Sequence, residues 1–158
     1  MPKTQRRRRK QTKTDYKARL AMLKSEKPRL VVRRTNKYII AQLVESDVAQ
    51  DKTIARANSK DLLQNGWPKE QSGSLKSLTA AYLTGYMLAK KLSGKVKEAI
   101  FDIGLNRNIK GGRIYAVLKG AIDGGLEIPF NKDSFPSDER FKANEKTINL
   151  LNEIKEKI

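Results

Sequence analysis

The stretch Leu30-Val31-Val32-Arg33-Arg34-Thr35-Asn36-Lys37-Tyr38-Ile39-Ile40-Ala41-Gln42-Leu43-Val44 decides the fold class. β-Branched residues crowd both of its halves, so Leu30–Arg34 and Lys37–Val44 read as two strands. Thr35-Asn36 between them suits a two-residue hairpin turn, since Asn tolerates a positive φ that Thr adopts poorly. That register opposes Arg34 to Lys37 and Arg33 to Tyr38, and it gathers Leu30, Val32, Ile39, Ala41 and Leu43 on one face. Like charges directly opposed are unfavourable in an isolated sheet. The cluster of Arg33, Arg34, Lys37 and Tyr38 at the tip therefore suggests an anion that neutralises it.

Downstream, Thr53–Ala57 reads as a third strand and Lys60–Gln64 as a helical turn stopped by Asn65-Gly66. Gln71-Ser72-Gly73-Ser74 is a loop rich in turn formers. A helix is expected over Leu75–Leu92, with Leu75, Leu78, Tyr82, Leu83, Tyr86, Met87 and Ala89 on a broad apolar stripe and Ser93-Gly94 as its stop. Ala99–Leu105 reads as a buried strand, and Gly111-Gly112 leads into a helix from Arg113 to about Ile122 that Asp123-Gly124-Gly125 ends. Leu126–Phe130 is an extended candidate. Ser137-Asp138-Glu139 looks like a helix start, with Phe141, Ile148, Leu151, Ile154 and Ile158 as its apolar stripe. The fold class is α/β: a mixed sheet beginning with a β-hairpin, helices packed on it, a disordered basic N-terminal arm and a C-terminal helix. The divisions are 1–28 for the arm with a short helix, 29–130 for the α/β domain and 131–158 for the helical extension. The sequence leaves open whether that last helix packs on the domain or on a neighbour.

Upstream of the hairpin the charge is concentrated. The chain carries 34 Lys and Arg against 17 Asp and Glu, a net +17. Met1 to Lys37 holds fifteen basic residues and two acidic ones, Asp15 and Glu26, or +13, which leaves +4 for everything that follows. Arg6-Arg7-Arg8-Arg9-Lys10 is an unbroken cationic run, with Lys3 before it and Lys13 after. Residues 1–13 have no apolar side chain beyond Met1 and Pro2, so burial cannot offset their ordering entropy, and alone they should be disordered. An arginine fork engages two phosphate oxygens at once, which suits an arm threaded between RNA backbones. Next, Asp15 or Thr14 can cap a helix in which Tyr16, Leu20 and Leu23 share a face and Lys17, Arg19 and Lys24 fall away from it. Such a helix would pack through its apolar stripe and turn its cations to RNA, with Pro28 ending it.

Composition closes most other routes. With no cysteine and no histidine there is no disulfide, no thiolate or imidazole zinc site and no Ser-His-Asp arrangement. Apolar stretches run to about five residues against the roughly twenty of a spanning helix. No signal peptide follows the basic start, and Pro2 stands where myristoylation needs Gly. A cytoplasmic life is compatible with this composition.

Two motifs invite chemistry. Asp102-Ile103-Gly104 resembles the first strand of ribonuclease-H-like and sugar-kinase-type folds, where the Asp binds magnesium. That site needs further converging carboxylates, and only Asp123 and Glu127 lie near in sequence, after a helix rather than at a strand end. A structural role at a strand end is preferred, with no catalytic residue, metal or cofactor. Gly111-Gly112 lacks both phosphate-loop patterns. The basic loop around it, Asn106, Arg107, Asn108, Lys110 and Arg113, reads instead as a second RNA contact.

Thr14–Leu20, Pro28–Lys37 and Ala80–Gly85 resemble the family of the large-subunit ribosomal protein that is eighteenth in the universal numbering. Phe101–Arg107 and Ala116–Ala121, continuing through Asp123–Pro129, are similar to its archaeal and eukaryotic branch, and the length favours the archaeal form. The resemblance implies a non-enzymatic protein of the cytoplasmic large subunit that binds 5S rRNA. It would join that RNA to the large-subunit rRNA in the central protuberance, beside the ribosomal protein fifth in the universal numbering. By matching position it puts RNA contacts on Arg29, Arg33, Arg34, Thr35, Asn36 and Lys37, with Asn106, Arg107 and Lys110 as further candidates. Tyr38 replaces the usual aromatic or His near the hairpin and could stack on a base or ribose. With the arm residues Arg6, Arg7, Arg8, Arg9, Lys10, Lys13, Tyr16, Lys17 and Arg19, and with Arg113, these form the candidate interface. A chromatin-type DNA-binding protein is the alternative.

Overall fold

The computed structural model describes residues 4–47, 50–92, 94, 96–141 and 145–158. Lys3 of the arm and Ser93 of the expected helix stop lie outside them; Gly94 has φ +76°. Among the described residues the α-helices and strands follow in order: α1 (Arg7–Lys10), α2 (Tyr16–Leu23), β1 (Arg29–Arg34), β2 (Ile39–Asp47), β3 (Gln50–Asn58), α3 (Leu78–Leu92), β4 (Ile100–Asp102), α4 (Arg113–Asp123), α5 (Asp138–Phe141) and α6 (Glu145–Lys157). The sheet order is β3-β2-β1-β4, antiparallel except for the parallel pair β1–β4, so the mixed α/β sheet opening on a hairpin is what forms.

The hairpin forms with its register moved. Arg34 pairs with Ile39 and Arg33 with Ile40, not with Lys37 and Tyr38. Thr35 N–H donates to the Tyr38 carbonyl at 2.9 Å, and the Thr35 hydroxyl accepts from Tyr38 N–H at 2.9 Å. That side-chain bond does the work expected of a positive φ, and Asn36 is not among the described non-glycine residues with one. The shift is two residues, an even number, so Leu30, Val32, Ile39, Ala41 and Leu43 still share the core face. All five are fully or almost fully buried. The direct opposition of Arg34 and Lys37 disappears, and with it the argument from opposed like charges.

α3 is the centre of the molecule. It starts at Leu78 rather than Leu75 because the Ser77 hydroxyl accepts from Ala80 N–H at 3.2 Å. Buried residues surround it on nearly every side, a wider contact than the stripe alone implied. The sheet lies against one side, α4 another and α6 a third. α4 approaches closely because Gly85 and Gly120 stand at the crossing. A Cβ on Gly85 would lie 2.0 Å from the Val117 carbonyl oxygen, and one on Gly120 would lie 2.0 Å from that of Tyr82.

The C-terminal helix packs on its own domain. Ile154 is fully buried, Lys155 sits 4.7 Å from the Tyr82 ring centroid, and α6 touches α3. Tyr82 donates its hydroxyl to Asp123 at 2.6 Å. Burial first, and then that bond, push its ionisation above the ordinary tyrosine value. No helix among the described residues is long and apolar enough to cross a membrane.

Candidate nucleic-acid interface

β1 and β4 are parallel neighbours, so the hairpin after β1 and the loop after β4 leave the same end of the sheet. At the tip Arg34, Thr35, Asn36 and Lys37 are exposed, while Tyr38 is half-buried against the core. Arg107 and Lys110 of the loop are exposed, and so is Arg113 at the start of α4. Asn106 donates its amide to the Ile103 carbonyl at 2.7 Å, and Asn108 accepts from the Tyr115 hydroxyl at 2.6 Å. Gly111 is anchored to the C-terminal segment, its N–H donating to Ser134 and its carbonyl accepting from Arg140. Among the described residues no ion pair engages Arg34, Lys37, Arg107, Lys110 or Arg113.

Residues 4–13 are exposed throughout, yet Arg7–Lys10 forms a helical turn where the sequence led to an expectation of disorder. Arg6 lies over the Tyr16 ring at 4.8 Å. In α2 the carboxylate of Asp15 accepts from Lys17 and Ala18 N–H, so Asp15 rather than Thr14 is the cap. The helix ends at Leu23, well before Pro28. Its orientation differs from the expected one: Leu20 is 57% exposed, and the side toward the sheet carries Asp15, Ala18, Arg19 and Met22. Lys17 points to solvent.

Between α2 and the sheet face opposite the core lies a cleft of about 500 Å³. Arg8 and Lys13 of the arm line it, together with Arg29, Arg33, Asp51, Asp102 and Leu105. Two residues expected at RNA are engaged internally here. Arg19 donates to Asp51 at 2.8 Å. Arg29 is 4% exposed and donates to Asp102, Asp51 and the Ser46 hydroxyl, each at 3.0 Å. A guanidinium taken out of water must be paired, so the position that the resemblance gave to RNA is given to two carboxylates. Arg33 is in between: it reaches Asp102 at 3.5 Å and the Val32 carbonyl at 2.9 Å, yet its side chain stays 43% exposed.

Asp102-Ile103-Gly104 is thereby explained without a metal. One Asp102 oxygen accepts from Arg29, and the other accepts from Gly104 N–H at 2.8 Å and faces Arg33. Gly104 has φ +59°, and a Cβ there would meet the Arg33 guanidinium at 2.8 Å. The turn ends β4 at Asp102, three residues short of Leu105, and glycine makes room for the arginine. Asp123 is engaged with Tyr82 and does not converge on Asp102. Among the described residues no group of three acidic, His or Cys side chains is placed to hold a metal.

Asp51 was not singled out in the sequence, and Arg29 and Arg33, the partners of Asp102, were assigned to RNA instead. One signal was available for the latter: an acid inside an apolar strand needs a cation, and Arg29 and Arg33 begin and end the apolar run of β1.

The chain matches the model of the family described as ribosomal large subunit proteins 60S L5 and 50S L18 over residues 2–100 and 93–131. It belongs to that family. The large ribosomal subunit protein uL18 of Korarchaeum cryptofilum is 49% identical over 138 residues, 87% of this chain and 69% of that protein. The uL18 of Methanoregula boonei is 46% identical, covering 87% and 77%, and that of Aeropyrum pernix 42% identical, covering 87% and 63%. These relatives put the chain on the archaeal branch of uL18. A member of this family is a structural, non-enzymatic constituent of the large subunit of the cytoplasmic ribosome. α6 lies beyond the residues that the family model matches.

Proposed function

We propose that this ribosomal protein binds 5S rRNA and anchors it to the large-subunit rRNA in the central protuberance, next to the universal large-subunit protein five. The reading rests on one observation: the hairpin tip and the loop after β4 present Arg34, Lys37, Arg107, Lys110 and Arg113 at the same end of the sheet. Arm residues Arg6–Lys10 and Lys13 supply phosphate contacts, which hold RNA without reading its sequence. The hairpin, with Thr35, Asn36 and Tyr38, sets the register by shape on folded RNA. In this reading 1–28 is the arm, 29–130 the rRNA-binding domain and 131–158 a helical extension. Arg29 supports the interface from inside.

Crosslinking of the full chain in cell extract, followed by sequencing of the attached RNA, tests this. Reads concentrated on 5S rRNA and an adjoining stretch of large-subunit rRNA are expected. Reads spread over unrelated RNAs would overturn it, and a preference for duplex DNA over 5S rRNA at matched salt would favour a DNA-binding protein instead.

A further inference from the structure

Five charged side chains from four elements alternate in sign across the outer face of the sheet. Arg19 of α2 meets Asp51 of β3 at 2.8 Å, and Asp51 meets Arg29 of β1 at 3.0 Å. Arg29 meets Asp102 of β4 at 3.0 Å, and Asp102 faces Arg33, near the hairpin end of β1, at 3.5 Å. Ser46 of β2 steadies the middle, donating its hydroxyl to Asp51 at 2.6 Å. The row therefore runs from the arm helix to the base of the hairpin.

Apolar packing does little to hold α2 there. No residue of α2 is buried, and its Leu20 is exposed. An eight-residue helix has little stability of its own, so its place depends on tertiary contacts. Among the described residues Arg19–Asp51 is the one ion pair between α2 and the sheet. The middle of the row is buried: Asp102 and Arg29 are each 4% exposed, and Arg29 Nε is buried with no hydrogen-bond partner. A buried ion pair is a poor source of stability beside an apolar replacement, but it does define geometry.

We infer that Asp51 and Asp102 are positioning residues for RNA binding. Through Arg19, Arg29 and Arg33 they fix the cationic arm and the hairpin as one preformed surface before RNA arrives. The inference rests on the 5S rRNA reading and adds a division of labour within it. Asp51 touches no phosphate and carries the wrong charge to do so, yet its removal should weaken specific binding. Simple electrostatics says the reverse, because losing an anion raises the net charge.

The test compares the full-length chain with Asp51→Asn, Asp51→Glu and Arg19→Gln for binding to 5S rRNA and to poly(U) over a range of salt. If the docked arm falls to about a tenth of the population, 5S rRNA affinity falls about tenfold in Asp51→Asn and Arg19→Gln. Poly(U) affinity in Asp51→Asn should hold or rise. The salt slope on 5S rRNA should stay the same in Asp51→Asn, since no phosphate-binding cation is lost, and Asp51→Glu should recover much of the loss. Amide exchange over 16–23 should quicken in the free Asp51→Asn protein while the core keeps its protection. Faster exchange in α2 with undiminished preference for 5S rRNA would overturn the inference. So would an equal loss on both RNAs. Failure of the unaltered chain to prefer 5S rRNA would instead remove the reading beneath it.

Discussion

Gly85 of α3 and Gly120 of α4 meet as reciprocal halves of one helix crossing, each lying where the partner helix brings a backbone carbonyl too close for any side chain. Neither has a positive φ, so space rather than backbone conformation demands glycine. Alanine at either site must push the helices apart, and overpacking of this kind costs about 1–3 kcal/mol or more. Gly85→Ala and Gly120→Ala should each lower the urea midpoint, whereas Gly73→Ala, which meets nothing within 4 Å, should leave it nearly unchanged. Equal midpoints for all three would refute the crossing.

Among the described residues Asp102 is the sole carboxylate facing Arg33 and one of two facing Arg29. Removing one member of a buried pair strands the other, typically at about 3–5 kcal/mol. Asp102→Ala should therefore destabilise the chain strongly in chemical denaturation. Arg29→Met with Asp102→Leu should recover much of that stability, because no buried charge is left without its counterion. A double variant less stable than Asp102→Ala would contradict this account.

Ile154 is the fully buried anchor of α6. Truncation to alanine should cost about 2–4 kcal/mol if the helix unfolds together with the domain. If α6 instead opens separately, amide exchange over 150–157 will quicken in Ile154→Ala while α3 stays protected. Either result supports docking in cis; unchanged stability and unchanged exchange would argue against it.

Asp51 has a definite acid response. Partial burial raises its pKa, but the Ser46 hydrogen bond and the charges of Arg19 and Arg29 outweigh that, and the net displacement is below the ordinary 3.8. A lowered folded-state value means that the unfolded chain takes up the proton first. The stabilisation is thus complete above about pH 4 and is lost as pH falls through the lower folded-state value. Carbon-13 NMR of the Asp51 carboxyl should show a midpoint under 3.8 that rises in Arg19→Ala. A midpoint unmoved by that change would mean the pair does not form in solution.

Seven basic residues lie in 1–13. Deleting them should flatten the dependence of log K on log salt by about 5 to 6, if each displaces a counterion. Changing Arg34 and Lys37 together to Ala should flatten it much less and should instead erode discrimination between 5S rRNA and other RNAs. Filter binding between low and moderate salt reads both quantities, and equal effects of the two changes would end the distinction between arm and hairpin.

What could be read in the chain was local. β-Branched runs around Val31 and Ile40, the 3.6-residue periodicity behind Tyr82 and Leu118, and the arginine run at Arg6–Arg9 each report on neighbours a few residues away. Strands, helices, the core face and the cationic arm follow from them. The hairpin register was missed by two residues because a threonine hydroxyl, not backbone conformation, closes the turn. Which arginines face RNA was beyond reach for a deeper reason. Arg29 and Arg34 sit in one strand with the same chemistry, and the sequence offers both to a phosphate. Folding brings Asp102 from 73 residues away, and Asp51 from 22, against the first of them only. Propensity and pattern are properties of the chain, whereas the partner of a charge is a property of position in space, and that was decided when the sheet closed.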